Sequence, residues 1–201
     1  MVRFVVAILS AGVAVFMFGF CYWGLSPLVN NTLSEYQGKD HAAVQQSLLE
    51  TFPEKGTYMI PFVPEDYTEW KELMKSGPTA MVHLTSTEGG EENLALGFLL
   101  TIVTAFFLAV VLVKIGSRCG VWEKAQILFL AAFSISFLDN GNDWIFWNYD
   151  SSWVMLNLVY QALASAIYAV VLSLILGSSA TTLGKKDECQ AKQRTPQIEG
   201  P

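Results

Sequence analysis

Residues 94–113 read LALGFLLTIVTAFFLAVVLV and contain no charged side chain. A helix of about 20 apolar residues covers the ~30 Å hydrocarbon core of a lipid bilayer. Residues 4–25, 125–138 and 153–176 form three further apolar runs. Only helices and closed barrels satisfy their own backbone hydrogen bonds in lipid. The four runs therefore predict four transmembrane helices.

The rest of the chain is divided by these runs. Residues 1–26 hold the first helix, residues 27–93 form a hydrophilic insert, and residues 94–177 hold the other three helices. We expect the polar tail, residues 178–201, to be disordered, because it has too few apolar residues to pack. The predicted fold class is membrane all-α, four transmembrane helices with a small α/β extracytoplasmic insert between helices one and two.

Charged residues differ between the two sides of the predicted helices. Acidic residues concentrate in the insert, whereas lysine and arginine flank the first run and follow the second and fourth. Cytoplasmic loops of membrane proteins carry an excess of lysine and arginine. We therefore predict a multi-pass protein of the cytoplasmic membrane, with cytoplasmic N and C termini and the insert outside. The basic residues outside the insert are Arg3, Lys114, Arg118, Lys124, Lys185, Lys186, Lys192 and Arg194.

Helix and strand signals alternate along the insert. Asp40 is placed to cap a helix that runs to Thr51, and Pro64 opens a second helix that ends before Gly77. Residues 56–62 and 79–85 have the composition of strands. Because the order is helix–strand–helix–strand, we expect the two strands to pair in parallel across the second helix.

The second helix of the insert carries a row of large side chains. Tyr67, Trp70 and Met74 recur at the spacing that places them on one helical face. Such a face usually belongs to a hydrophobic core. The alternative is that these three residues form the surface by which the insert contacts a partner protein.

The sequence contains no motif for a metal, a cofactor or a catalytic centre. His41 and His83 are the only histidines, and neither has the spacing of a metal ligand set. Cys21 is predicted at the opposite side of the membrane from Cys119 and Cys189, and the chain has no C-x-x-C pair. With no phosphate loop and no nucleophile–base pair, we predict no cofactor, no bound metal and no catalytic residue.

Residues 139–150, DNGNDWIFWNYD, form the densest group of polar residues beside a predicted span. In one interpretation the third helix ends at Leu138, and Gly141 breaks it. In the other the helix continues to about Trp147, which places Asp139 and Asp143 one turn apart on one face. A span of residues 122–138 would be at the short limit, which favours continuation.

The fourth predicted helix has a polar face that would meet this cluster. Asn157 and Gln161 lie one turn apart, and a short loop makes the third and fourth helices neighbours. The polar side chains then either form interhelical hydrogen bonds or line a pocket that handles a cation or a proton. The candidate pocket residues are Asp139, Asn142, Asp143, Asn157 and Gln161.

Three parts of the chain carry a family resemblance. They are Trp23-Gly24-Leu25-Ser26-Pro27 with Asn30 and Asn31, Gly56-x-Tyr58-x-x-Pro61 with Met74-x-x-Gly77-Pro78, and Asn142-x-x-x-x-Trp147-Asn148. In these stretches the chain resembles an uncharacterised family of small bacterial four-helix inner-membrane proteins with an extracytoplasmic insert. The resemblance covers most of the chain except the tail. It implies the same topology in a bacterial membrane, and it implies no activity.

These features favour a non-catalytic accessory or assembly subunit of a membrane complex. Its expected partners are the lipid bilayer and other membrane subunits or further copies of the chain, and no basic patch suits nucleic acid. One alternative is a small oligomeric protein for ion- or proton-coupled transport that uses Asp139 and Asp143. A second alternative is a membrane enzyme that acts on a lipid or a quinone, because such sites can be largely apolar.

Overall fold

The structure is a computed structural model that describes residues 1–34, 40–62, 67–85, 90–116 and 119–193. The chain forms two compact units. One unit consists of Met1–Ser34 and Asn93–Pro201, and the other consists of Glu35–Glu92. The second unit covers residues 35–92 of the predicted insert, whereas residues 27–34 belong to the unit that contains the four long helices.

Four long helices make up most of the first unit. They are α1 (Val2–Gly19), α5 (Gly90–Ile115), α6 (Val121–Phe146) and α7 (Ser151–Gln193). A π-helical turn, Phe20–Leu25, extends α1, and the short α2 (Leu28–Thr32) follows it. All four long helices have segments that are long and apolar enough to cross a membrane. The prediction of four long apolar helices is confirmed.

Helix α7 lies at the centre of this bundle. Helices α1 and α6 both pack along it. The core contains small side chains from all four long helices, and small residues let helices approach closely. Helix α5 joins the core through its own alanines and through the hydroxyl of Tyr168 on α7, which donates to the carbonyl oxygen of Thr101 at 2.9 Å. The buried alanines are Ala7, Ala11, Ala105, Ala109, Ala125, Ala164 and Ala169.

Two of the long helices extend beyond the predicted limits. Helix α6 runs through Asn140 and Gly141 to Phe146, so the interpretation that ends it at Leu138 is wrong. The backbone of α7 is helical to Gln193, past residue 178, where the polar tail begins. Residues 178–193 contain two Ala, three Lys and two Gln, which favour helix more than Ser, Thr or Gly do.

Caps and turns set the junction between α6 and α7. Asn148 adopts a positive φ of 52°, which Asn tolerates better than most residues. The carboxylate of Asp150 then accepts hydrogen bonds from the backbone N–H groups of Ser152 at 2.9 Å and Trp153 at 3.3 Å. These bonds satisfy two N–H groups that have no partner within the helix. The short turn makes α6 and α7 antiparallel neighbours, as predicted.

The second unit contains two helices and two strands. They are α3 (His41–Thr51), β1 (Gly56–Ile60), α4 (Tyr67–Ser76) and β2 (Ala80–Leu84). The predicted cap of α3 is confirmed, because the carboxylate of Asp40 accepts from the N–H of Ala42 at 3.1 Å. The order and type of the four elements match the prediction.

The predicted parallel pairing of the strands is wrong. Strands β1 and β2 pair antiparallel, with Gly56 opposite Leu84 and Ile60 opposite Ala80. Parallel sheets are stable mainly where helices cover both faces, whereas a small antiparallel pair tolerates one solvated face. Because the strands are antiparallel, the chain leaves β1 at Ile60, passes through α4 and enters β2 at Ala80, which lies opposite Ile60.

Candidate functional site at the aromatic end of the bundle

Aromatic side chains gather at the end of the bundle where α1 and α6 end and where α5 and α7 begin. We call this the aromatic end. The rings of Trp23, in the π-helical turn, and Trp153, on α7, have centroids 5.9 Å apart. Trp144 lies near the end of α6 at the same end of the bundle, where it lines a cavity with Val154. Tryptophan and tyrosine are enriched where membrane helices meet the lipid headgroups.

Two tyrosines connect α1 with α7 at this end. The buried hydroxyl of Tyr22 donates to the carbonyl oxygen of Leu156 at 2.9 Å. The ring of Tyr160 stacks on Phe18 with centroids 5.6 Å apart and also contacts the ring of Trp23 at 5.3 Å. Because the π-helical turn adds a residue to one turn of the helix, it changes the direction of Tyr22 and Trp23 relative to α1.

An open groove lies between α1 and α5 at the aromatic end. It has a volume of about 280 Å³, comparable with the lower range of ligand pockets in proteins. Aromatic side chains from α1 and its π-helical turn form much of its wall, and Tyr160 of α7 also lines it. The residues that matter most for its shape are Phe16, Gly19, Phe20, Trp23, Gly97 and Tyr160.

A second cavity lies between α6 and α7. Its volume is about 250 Å³, and its wall includes Phe137, Gly141 and Trp144 from α6. The wall on the side of α7 consists of Ser151, Val154, Met155 and Leu158. The lining contains no carboxylate and no amide side chain. This cavity is therefore suited to an apolar group and offers no ligands for a cation.

The five predicted pocket residues lie near the aromatic end, but they do not form a joined network. Asp139 and Asn142 are exposed, whereas Asp143, Asn157 and Gln161 are half-buried. The amide of Asn157 donates to the carbonyl oxygen of Trp153 in its own helix at 2.9 Å. Within the described residues, the side chains of these five form no hydrogen bond with one another. The structure brings Asp139 and Asp143 together on α6 and leaves them unconnected to Asn157 and Gln161.

Sequence reasoning missed Asn140, the polar residue of this cluster that is most buried. It is 7% exposed, and its amide donates to the carbonyl oxygen of Ser136 at 2.8 Å. A buried amide that is satisfied by its own helix stabilises the packing without needing a partner helix. Helical spacing could have indicated it, because Ser136 and Asn140 are one turn apart.

The groove was also missed by sequence reasoning. Its openness depends on Gly19 and Gly97, which lie on different helices and lack side chains. A glycine pattern within one helix is visible in a sequence, but the distance between two helices is not. The nearest available signal was the row of aromatic residues from Phe16 to Trp23.

The candidate partner residues of the insert are Tyr67, Trp70 and Met74 on α4. Trp70 and Met74 are half-buried within their unit, and the side chain of Tyr67 lies outside the described residues. The hydroxyl of Thr57 lies 2.9 Å from Nδ1 of the exposed His83 on the facing strand. In the part of the chain that the structure describes, no group of three or more His, Cys, Asp or Glu side chains could hold a metal ion.

No family model, curated protein or solved structure matches this chain.

Proposed function

We propose that this chain is a multi-pass membrane protein that serves as a non-catalytic subunit of a larger membrane assembly. In this proposal α6 is the helix that contacts the partner. The support comes from one observation, the exposed polar pair Asp139 and Asn142 on α6. The insert would lie outside the cell, as the distribution of basic residues predicts.

Helix α6 has the surface expected of an interface helix. Among the described helices, α7 is the one whose backbone lies close along α6. The remaining surface of α6 carries large exposed apolar side chains, including Leu130, Ile135 and Leu138. These side chains would face either lipid or the helix of a partner.

The exposed polar pair favours a partner over lipid. Asp139 lies two turns before the end of α6 at Phe146, about 10 Å along the helix axis. A charged side chain facing the bilayer centre costs roughly 2.5–3.5 kcal/mol on insertion scales, and less near the interface. Such groups usually face a protein partner or water. A partner helix with donors opposite Asp139 and Asn142 would remove this cost.

Transport by the two carboxylates has less support. Asp139 and Asp143 do lie one turn apart on α6, which is the arrangement that proton or cation handling would require. However, neither carboxylate lines the cavity between α6 and α7 or the groove between α1 and α5. A pathway for an ion needs polar groups along a continuous cavity. We therefore keep transport as the second candidate function.

Gentle detergent extraction from native membranes tests the proposal. The native mass of the extracted particle should correspond to this chain with another protein in a fixed ratio. The double variant Asp139→Leu/Asn142→Leu should lose that protein. The matched control is Ser134→Leu, which replaces an exposed polar residue of the same helix whose hydroxyl is satisfied by the carbonyl oxygen of Leu130.

Two outcomes would contradict the subunit proposal. One is a lone chain or a homo-oligomer in the wild-type extract. The other is a partner that remains bound to the double variant as well as to the control. In either case the transport alternative becomes the better candidate, and Asp139→Asn with Asp143→Asn should then abolish ion flux in vesicles without reducing expression.

A further inference from the structure

The groove between α1 and α5 lies nearer the aromatic end than the point at which the two helices are in close contact. Their close contact is at Gly12, where an added Cβ would lie 2.3 Å from Cδ1 of Ile102. Nearer the aromatic end, an added Cβ at Gly97 would meet no atom within 4 Å. The space left at Gly97 is part of the groove of about 280 Å³.

The chemistry of the wall selects an uncharged ligand. No Asp, Glu, Lys or Arg side chain lines the groove. The rings of Phe16, Phe20, Trp23 and Tyr160 do line it, and aromatic side chains pack well against planar rings. An apolar protein cavity of about 150 Å³ accommodates benzene, so this volume suits a larger ring system such as a bicyclic one.

The hydroxyl of Tyr160, beside the groove, is a hydrogen-bond donor without an acceptor among the described residues. The hydroxyls of Tyr22 and Tyr168 donate to the carbonyl oxygens of Leu156 and Thr101. Tyr160 differs, because its ring contacts the ring of Trp23 with centroids 5.3 Å apart, and the indole N–H of Trp23 can only donate a hydrogen bond. Within the described residues, no oxygen accepts the proton of Tyr160. The hydroxyl lies close to Gly19, which lines the groove, since an added Cβ there would be 3.0 Å from it.

An unsatisfied donor in an apolar environment is costly, and a ligand with an acceptor oxygen would remove the cost. We propose that this groove binds the ring of a membrane-soluble quinone, with one quinone carbonyl accepting a hydrogen bond from the hydroxyl of Tyr160. The apolar tail of the quinone would leave through the open side of the groove. This site is independent of the interface on α6 and goes beyond the proposed subunit function.

Fluorescence quenching of the purified full-length chain in nanodiscs of one defined phospholipid tests the site. The probe is 2-methyl-1,4-naphthoquinone, and the hydrocarbon control is 2-methylnaphthalene in competition with it. Gly97→Leu fills the groove at a position with free space and should weaken quinone binding at least tenfold. Gly141→Leu is the matched control, because it adds the same side chain where an added Cβ also meets no atom within 4 Å, in the other cavity.

The hydrogen bond has its own test. Tyr160→Phe should weaken binding of the quinone about fivefold, which corresponds to the loss of one neutral hydrogen bond of about 1 kcal/mol. The same variant should leave binding of the hydrocarbon unchanged. A merely structural role for Tyr160 would weaken both probes equally, and that result would remove the assigned hydrogen bond.

The site itself would be disproved by equal quenching of the wild type and Gly97→Leu. It would also be disproved if native mass spectrometry found a phospholipid in the groove that quinone does not displace and that Gly97→Leu removes. Loss of quinone binding in Gly97→Leu with no loss in Gly141→Leu supports the site, whatever the outcome of the partner experiment on α6.

Discussion

At the scale of single residues, the contact between Gly12 and Ile102 sets how closely α1 and α5 approach. An added Cβ at Gly12 would also lie 3.3 Å from the Cα of Ile102, so movement of the Ile102 side chain cannot remove the whole conflict. Small residues at such crossings allow close packing between membrane helices. Gly12 is therefore a packing residue, and its role is different from that of Gly97.

Replacement of Gly12 by alanine should destabilise the bundle. We expect a loss of about 1–3 kcal/mol, the usual cost of overpacking, and a lower melting temperature in detergent. Gly12→Ala combined with Ile102→Val should recover part of the loss, because valine lacks the Cδ1 atom that is nearest to the added methyl group. Equal stability of wild type and Gly12→Ala would contradict the close approach of the helices.

The buried hydroxyl of Tyr22 permits a second test at this scale. Tyr22→Phe removes the hydrogen bond to the carbonyl oxygen of Leu156 and should cost about 1 kcal/mol. Tyr149→Phe is a suitable control, because the structure gives the Tyr149 side chain no hydrogen bond within the described residues. Denaturation of both variants in the same detergent measures the difference, and equal losses would argue against the bond.

At the scale of elements, α6 shows what hydrophobic patterning reveals and what it leaves open. The apolar run of residues 125–138 identifies the helix, but Asn140, Gly141 and Asn142 are poor helix formers. Here the intrinsic preferences are outweighed, because Asn140 is buried and bonded to Ser136 within the helix. A sequence contains the preference of each residue and does not contain the packing that overrides it.

The continuation of α6 can be tested at Gly141. An added Cβ there would meet no atom within 4 Å, so Gly141→Ala should gain helix stability without a clash. We expect an increase of about 0.5–1 kcal/mol in the free energy of unfolding. If residues 139–146 formed a loop instead, the substitution would be neutral or destabilising in the same denaturation experiment.

The insert illustrates a different limit of sequence reasoning. Local signals such as Asp40 and Gly77 locate its helices well, because caps and breakers act within a few residues. The direction of strand pairing depends on where the chain returns after α4, and no local signal encodes that path. The candidate partner surface had the same limit, since a row such as Trp70 and Met74 usually belongs to a core but also suits an interface.

At the scale of the whole molecule, the proposed orientation in the membrane has a direct test. Cys119 lies between α5 and α6, at the end opposite Trp23, and Asn30 is exposed in α2 near the aromatic end. A membrane-impermeant thiol reagent added to intact cells should label Asn30→Cys in a background without native cysteines. It should label Cys119, as the single cysteine, after the membrane has been permeabilised. The reverse pattern would invert the topology.

The central position of α7 has a consequence for biosynthesis. This helix is the last of the four to leave the ribosome, yet α1 and α6 both pack along it. Translation proceeds at about 5–20 residues per second, so in the proposed membrane protein the earlier helices would wait several seconds for their common neighbour. During that interval the proposed membrane protein would be a set of separately inserted helices, and its packing would be completed only when α7 follows.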